Sequence, residues 1–367
     1  MEADQLTIGF VRRGYARAGG AEAYLQRLAK GVRSAGHVLR LATTDEWPEN
    51  DWPFGQITRL AGQTPTQFAN AFEAIRPAWG CDVVLSLERI WQCDIYRAGD
   101  GVHRAWLVRR REHDSVLRKL RGIFNRKHRG ILRLEESLFG HGGARRVIAN
   151  SEMVQREIVR LYGCPADQID VVRNGVPVDQ FRFTADSRRR SRAAFGLTDD
   201  ALAVLFVGSG WGRKGLKFAI KAVEACRDPR MQLLVAGRGN RAEYSSPSLR
   251  LLGVVEDLPA LYAAADIFLL PTIYDPFSNA SLEALAAGLP VVTTSANGFA
   301  EIVEEGIQGS IAGNPADIDA LTGALKFWSD PARREAARPR CHALAAQFDI
   351  SRNVQETLGI LLQCARR

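Results

Sequence analysis

Cysteine is thinly used: the 367 residues hold six, Cys81, Cys93, Cys164, Cys226, Cys341 and Cys364, and none forms a Cys-x-x-Cys pair. That spacing offers neither a zinc cage nor the dense disulfide framework of a small secreted domain, and it fits a reducing compartment. No apolar run approaches the ~20 residues that span a bilayer. The opening stretch, Met1 to Phe10, carries Glu2 and Asp4 where a secretory leader has basic residues, so a cytoplasmic protein, at most peripheral on a membrane, is expected. Low-complexity tracts are missing as well. With 46% hydrophobic and 25% charged residues the composition is that of packed globular domains, and the length predicts two of them.

What is present is alternation. Short apolar runs at Leu6 to Val11, His37 to Thr43, Asp82 to Ser86, Arg146 to Ala149 and Ile169 to Arg173 are interleaved with helical patterns at Gly20 to Ser34 and Glu152 to Tyr162. Asn150-Ser151 supplies an N-cap for the second helix. This is a βαβ pattern. It lapses from Val176-Pro177 to Ser187, which reads as irregular, and resumes at Leu202 to Val207. The later strands are expected at Gln232 to Ala236, Ile267 to Leu270 and Val291 to Thr293, and the helices at Leu216 to Cys226, Leu258 to Ala265 and Asn279 to Ala287. Two doubly wound sheets follow, each with a binding crevice beyond the carboxyl ends of its strands. Their expected extents are residues 1–178 and 179–348, with a final helix over 349–367 returning to the first domain.

The loop Gly208-Ser209-Gly210-Trp211-Gly212-Arg213-Lys214-Gly215 follows a strand and opens a helix, so its amides can hold a phosphate that Arg213 and Lys214 neutralise. Gly210 to Gly215 also fits G-x-G-x-x-G, a weak signal alone; two cations inside the turn favour a diphosphate over a nicotinamide dinucleotide. Further on, Asp275 and Glu283 stand with seven residues between them, one in the loop after a strand and the other in the next helix. Both acids can face one crevice and accept from sugar or ribose hydroxyls, with the amides around Asn279, Ala280 and Ser281 turned to phosphate or sugar oxygens. The plainer readings are a strand-to-helix turn with solvated cations and a capped helix with one exposed acid. Asp317-Ile318-Asp319 matches a metal-binding Asp-x-Asp, yet it opens a helical pattern, where acids favour the dipole without any metal. No metal and no cofactor are expected.

The stretch Tyr274 to Pro290 resembles the retaining GT-B glycosyltransferases of family 4. So do Gly19-Gly20-Ala21-Glu22, Ala149-Asn150-Ser151-Glu152 and Val172-Arg173-Asn174-Gly175-Val176. Within that family, the Gly208 to Gly215 loop and Asp94 to His103 look like the lipopolysaccharide core glucosyltransferase I branch. The resemblance implies a GT-B fold, two Rossmann-like domains facing across a deep cleft, with the acceptor in the first and the nucleotide sugar in the second. It implies a UDP-sugar donor, UDP-glucose, whose diphosphate is bound by Arg213, Lys214 and the backbone of Gly19, Gly20 and Gly208. Arg173 and Arg238 complete the donor set, Glu283 takes the ribose and Asp275 the transferred sugar. The family usually has glutamate where this chain has Asp275. Asp100, flanked by Gly99 and Gly101, is the expected carboxylate beside the anomeric carbon, with His103 near it; its plain reading is a turn residue.

Formal charge is +8 with a pI near 9.4, and its location is uneven. From Arg104 to Arg133 there are eleven basic side chains against Glu112 and Asp114, a net +9, interleaved with Trp106, Leu107, Val108 and Phe124. That mixture predicts a peripheral element for an anionic membrane, and its ordinary reading is a solvated helix face. A nucleic-acid partner is not expected, for want of a stacking platform. The expected acceptor is an anionic glycolipid, a heptose of the lipopolysaccharide core. The other readings are a different glycan acceptor, a UDP-sugar epimerase that needs no acceptor, and a non-catalytic nucleotide- or nucleic-acid-binding protein.

Overall fold

The structure, a computed structural model, describes residues 5–15, 20–113 and 125–365. The chain divides into two compact units, Met1–Arg173 with Ser351–Arg367, and Asn174–Ile350. The changes of unit thus fall at 173/174 and 350/351, against expected junctions at 178/179 and 348/349.

Among its described residues, unit 1 holds a seven-stranded parallel sheet in the order β3-β2-β1-β4-β5-β6-β7. The strands are β1 (Thr7–Val11), β2 (Val38–Thr43), β3 (Gly55–Arg59), β4 (Val83–Ser86), β5 (Cys93–Arg97), β6 (Ala144–Ala149) and β7 (Ile169–Val171). The order reverses between β1 and β4, so the carboxyl edge of these two strands is the topological switch point where such sheets take ligands. Helix Gly20–Ser34 follows β1. Its Gly31 lies so close to the final helix that an added Cβ would stand 2.2 Å from Val354 Cγ1. That final helix is stitched to this unit by Asn353 Nδ2 donating to Arg173 O (2.6 Å).

Unit 2 forms a six-stranded parallel sheet, again among described residues, in the order β10-β9-β8-β11-β12-β13. Its strands are β8 (Leu202–Val207), β9 (Met231–Ala236), β10 (Leu249–Gly253), β11 (Ile267–Leu270), β12 (Val291–Thr294) and β13 (Gly309–Ala312). Every residue of β8, β11 and β12 is buried. The unbroken apolar runs of β8 and β11 are typical of a parallel strand covered on both faces, and the two threonines of β12 are buried through hydrogen bonds to Leu270 O and Thr272 O. Here the switch point lies between β8 and β11. Two doubly wound parallel sheets are thus present, as expected.

Two expectations need correction. Strands β3, β5, β10 and β13 were not anticipated, because β3 and β10 are half-exposed edges, β13 is short and begins at Gly309, and β5 carries Asp94 and Arg97. None shows the apolar run on which a strand is read. The stretch from Val176 to Ser187 is not irregular: it contains helix Val178–Phe181 and the start of helix Ala185–Ala194. A Thr184–Ser187 capping box opens the latter, and Arg188 and Arg192 pin it to Asp266 (2.7 and 3.2 Å). Its anchors are ionic, so apolar periodicity was silent. The helix start expected at Asp317 is present: Asp317 is the N-cap of helix Ile318–Trp328 and accepts from Ala320 N (2.9 Å), a structural role in keeping with dipole and capping arguments.

Candidate functional site

The donor-side candidates of unit 2 lie around the carboxyl edge of β8 and β11. Gly210 and Gly215 adopt left-handed backbone at either end of the short helix Trp211–Lys214, a conformation costly for other residues. At Gly215 a Cβ would fall 1.8 Å from Pro271 O, so loop and strand end are in direct backbone contact. That approach aims the two cations. Arg213 Nη1 donates to Tyr274 O (3.1 Å), and Arg213 O accepts from Ile273 N (2.9 Å) and Thr272 Oγ1 (3.0 Å). Lys214 Nζ forms an ion pair with Asp275. Burial pushes the Lys214 ammonium below the ordinary lysine range, Asp275 opposes that shift, and Arg213 adds to it. Arg238 is exposed on the neighbouring loop; its backbone is tied to this turn through Gly210 N to Arg238 O (3.0 Å) and Arg238 N to Ser209 Oγ (3.3 Å).

Asp275 is 4% exposed and held by its own backbone: Asp275 N donates to Ala296 O (3.0 Å) and Gly298 N to Asp275 O (2.9 Å). Asn297, buried alongside, accepts from Ser278 N (3.3 Å) and Phe299 N (3.1 Å) and donates to Thr293 Oγ1 (3.0 Å). Asn174 completes the brace, donating to Phe277 O (3.1 Å) and Asn279 Oδ1 (2.7 Å). Helix Asn279–Ala286 then begins with Ser278 as N-cap. The amide of Ser281 is not free as expected, since it donates to Ser278 Oγ (3.2 Å); Ser281 Oγ is buried with no partner of its own. Asn279 and Ala280 stay half-buried. Glu283, in the next turn, accepts from Tyr262 Oη (2.9 Å). Burial and the Glu283 charge push the Tyr262 phenol well above its ordinary value, so it remains a donor.

Unit 1 gathers a second cluster at the carboxyl ends of β1, β4 and β5. Asp100 lies in the loop after β5, with Gly101 N closing the turn onto Ala98 O (3.0 Å). Two arginines face its carboxylate, Arg12 at 3.7 Å and Arg89 at 4.0 Å. Arg12 also binds Glu22 (3.1 Å). Burial works against its charge, but Asp100, Glu88 and Glu22 outweigh burial and raise its pKa. Glu88 is raised by burial, against the pull of Arg12 and Arg13. His103 opens helix His103–His113 and does not stand alone: its Nε2 meets His128 Nδ1 at 3.0 Å. Burial, then Arg89 and His128, push His103 down to about 3, so the imidazole is neutral at ordinary pH.

Arg173 sits at the end of unit 1, where it pairs with Glu152 (3.0 Å). Gly20 begins the helix after β1. Gly19 lies outside the described residues, as does 114–124 of the basic segment. Sequence reasoning did not single out Asn174, Asn297, Tyr262, Arg12, Glu88, Arg89 or His128. Asn174 alone stood inside a motif already noted.

Residues 18–180 match the family described as Glycosyltransferase Family 4, and residues 201–329 match the family described as Glycosyl transferases group 1. The first match lies almost wholly in unit 1 and the second in unit 2, both are to glycosyltransferase families, and the fold is of the GT-B kind. Among solved structures it is similar to WaaG, a glycosyltransferase involved in lipopolysaccharide biosynthesis, with a TM-score of 0.82 at 20% identity over 96% of this chain and 99% of that one. HepE of Anabaena, solved with UDP and glucose, gives 0.75 at 19% identity over 97% and 99%. Among curated relatives, the D-inositol 3-phosphate glycosyltransferase of Mycobacterium bovis is 31% identical over 243 residues, 61% of this chain and 49% of that protein. The chain spans about half the length of the curated relatives it matches.

Proposed function

We propose that the chain is a retaining, metal-independent hexosyltransferase that moves glucose from UDP-glucose to a heptose of the lipopolysaccharide core. The observation that carries this reading is the Lys214–Asp275 pair beside Arg213, set on a loop braced by Asn174 and Asn297. An ammonium and a guanidinium at one strand edge suit a leaving diphosphate, whose charge grows as its bond to the sugar breaks. Asp275 orients the sugar hydroxyls, and Glu283, set by Tyr262, takes the ribose diol. In the transfer step the C1–O bond to UDP breaks, the acceptor oxygen bonds to C1 from the same face, and the acceptor proton leaves on the diphosphate. Asp100 steadies positive charge at C1, and neutral His103 offers the acceptor a hydrogen bond. Arg173, Arg238, Gly20 and Gly208 belong to the donor site in this reading.

The similarity to WaaG supports the choice of acceptor, and the HepE complex supports UDP and glucose. The net +9 of 104–133 supports docking on the cytoplasmic face of an anionic membrane. Among the described residues no helix is long and apolar enough to cross one. The test is release of UDP by purified protein over a panel of nucleotide sugars, with and without deacylated lipopolysaccharide core. UDP-glucose turnover that rises with acceptor upholds the reading; turnover indifferent to acceptor points to an epimerase or hydrolase. Co-sedimentation with anionic but not neutral vesicles tests the docking, and equal behaviour with both overturns it.

A further inference from the structure

Glu135 is a fully buried carboxylate at the end of helix Arg126–Glu135, far in sequence from everything it binds. Its Oε1 accepts from Arg89 Nε (3.0 Å) and from the amide of His103 (2.6 Å). Its Oε2 accepts from the amide of Arg104 (3.2 Å) and from Tyr162 Oη (2.7 Å). A buried carboxylate needs such donors to offset its lost hydration. The arrangement does more than satisfy it. Two of the donors are the first amides of helix His103–His113, which Glu135 therefore caps from another element. The third, Arg89, uses its remaining nitrogens on the loop ahead of that helix: Nη2 donates to Gly101 O (2.8 Å) and Nη1 faces Asp100 at 4.0 Å.

The turn that presents Asp100 is thereby held at both ends by one side chain. Upstream the hold runs through the rigid guanidinium fork of Arg89; downstream it runs through the helix amides. Asp100 itself is more than half exposed, and the backbone turn that presents it is set by this frame.

We propose that Glu135 is a positioning residue for the transfer reaction, fixing the Asp100 turn through Arg89 and the amides of His103 and Arg104. This rests on the transferase reading above. The test compares E135Q, R89K and Y162F for transfer kcat, KM of both substrates, stoichiometry of bound UDP, and amide exchange over residues 99–106. Gln keeps the shape of Glu135 but turns an NH2 group toward donors, and Lys at position 89 keeps the charge but loses the fork. In E135Q a kcat at least 30-fold lower is expected, with donor KM within twofold and UDP stoichiometry unchanged; in R89K the loss is at least tenfold. Y162F, which removes one bond off the route to Asp100, stays within threefold. A merely structural role would lower UDP stoichiometry and kcat together.

Transfer within threefold of the parent in E135Q overturns the proposal. Where E135Q fails to bind UDP at all, R89K decides by the same threefold limit. Should the parent protein transfer nothing from any donor, the transferase reading fails, and amide exchange alone decides the inference. At least tenfold faster exchange over 99–106 in E135Q then sustains the hold of Glu135 on the Asp100 turn, with its tie to transfer given up, and unchanged exchange overturns the inference.

Discussion

Lys214 and Asp275 are each nearly stripped of water, with side chains 12% and 6% exposed, and each is the other's counter-charge. Replacing Lys214 by Ala leaves a buried carboxylate alone, which costs about 3–5 kcal/mol. In the proposed reaction the leaving phosphate also loses a cation, so kcat should fall by about 100- to 1,000-fold. Urea denaturation and steady-state UDP release measure the two effects separately. His103 gives a pH signature instead. Its folded pKa of about 3 lies below the ~6.5 of an unfolded chain. Between those values the unfolded state binds the extra proton, so stability falls as pH drops from about 6.5 toward 3. Melting temperatures recorded from pH 7 to 4.5 should decline in the parent and decline less in H103N. Single residues were also where the sequence said least. Asp275 and Glu283 stood out because a loop acid and a helix acid share a local pattern. Glu135, Asn297 and Tyr262 are common residue types tied into the site by a partner 32, 19 and 21 positions away, and no spacing rule reaches that far.

The element that aims the cations is the turn from Gly208 to Gly215, and its shape depends on two left-handed glycines and one tight crossing. Gly215→Ala forces a side chain into positive φ and onto Pro271 O. The backbone conformation alone costs about 1–2 kcal/mol, and the collision displaces Arg213 and Lys214. A loss of at least ~2 kcal/mol in urea denaturation is expected, with UDP affinity at least tenfold weaker by calorimetry. Gly212→Ala is the contrast: an added Cβ there meets nothing within 4 Å, so stability should hold. This turn was legible because glycine and cation spacing are local properties. The half-exposed edge strands β3 and β10 and helix Ala185–Ala194 were not. Ion pairs and sheet edges hold them in place, and neither leaves a period of 2 or 3.6 in the sequence.

At the scale of the whole molecule, alternation of apolar runs with helical stretches carried the reading of two parallel sheets, because most strands covered on both faces are nearly continuous apolar runs. The division into units is less simple than that pattern. Residues 351–365 pack with unit 1, through Asn353 on Arg173 and Val354 against Gly31, and bury Leu361 and Cys364. Removing 351–367 should therefore weaken unit 1 by at least ~2 kcal/mol, the worth of one large buried side chain. UDP affinity, which the proposed function places in unit 2, should change less than threefold. Tryptophan fluorescence in urea, followed alongside UDP titration, checks both.

Unit 2 is thus an uninterrupted stretch of chain set inside a unit 1 made of two pieces. On the ribosome, at roughly 5–20 residues per second, the 177 residues from Asn174 to Ile350 take roughly 10 to 35 s to appear. Unit 2 can close on itself as soon as it emerges. Unit 1, started first, waits through that interval without its last helix and is finished second, so the half made earliest is the half most exposed to chaperones and proteases during synthesis.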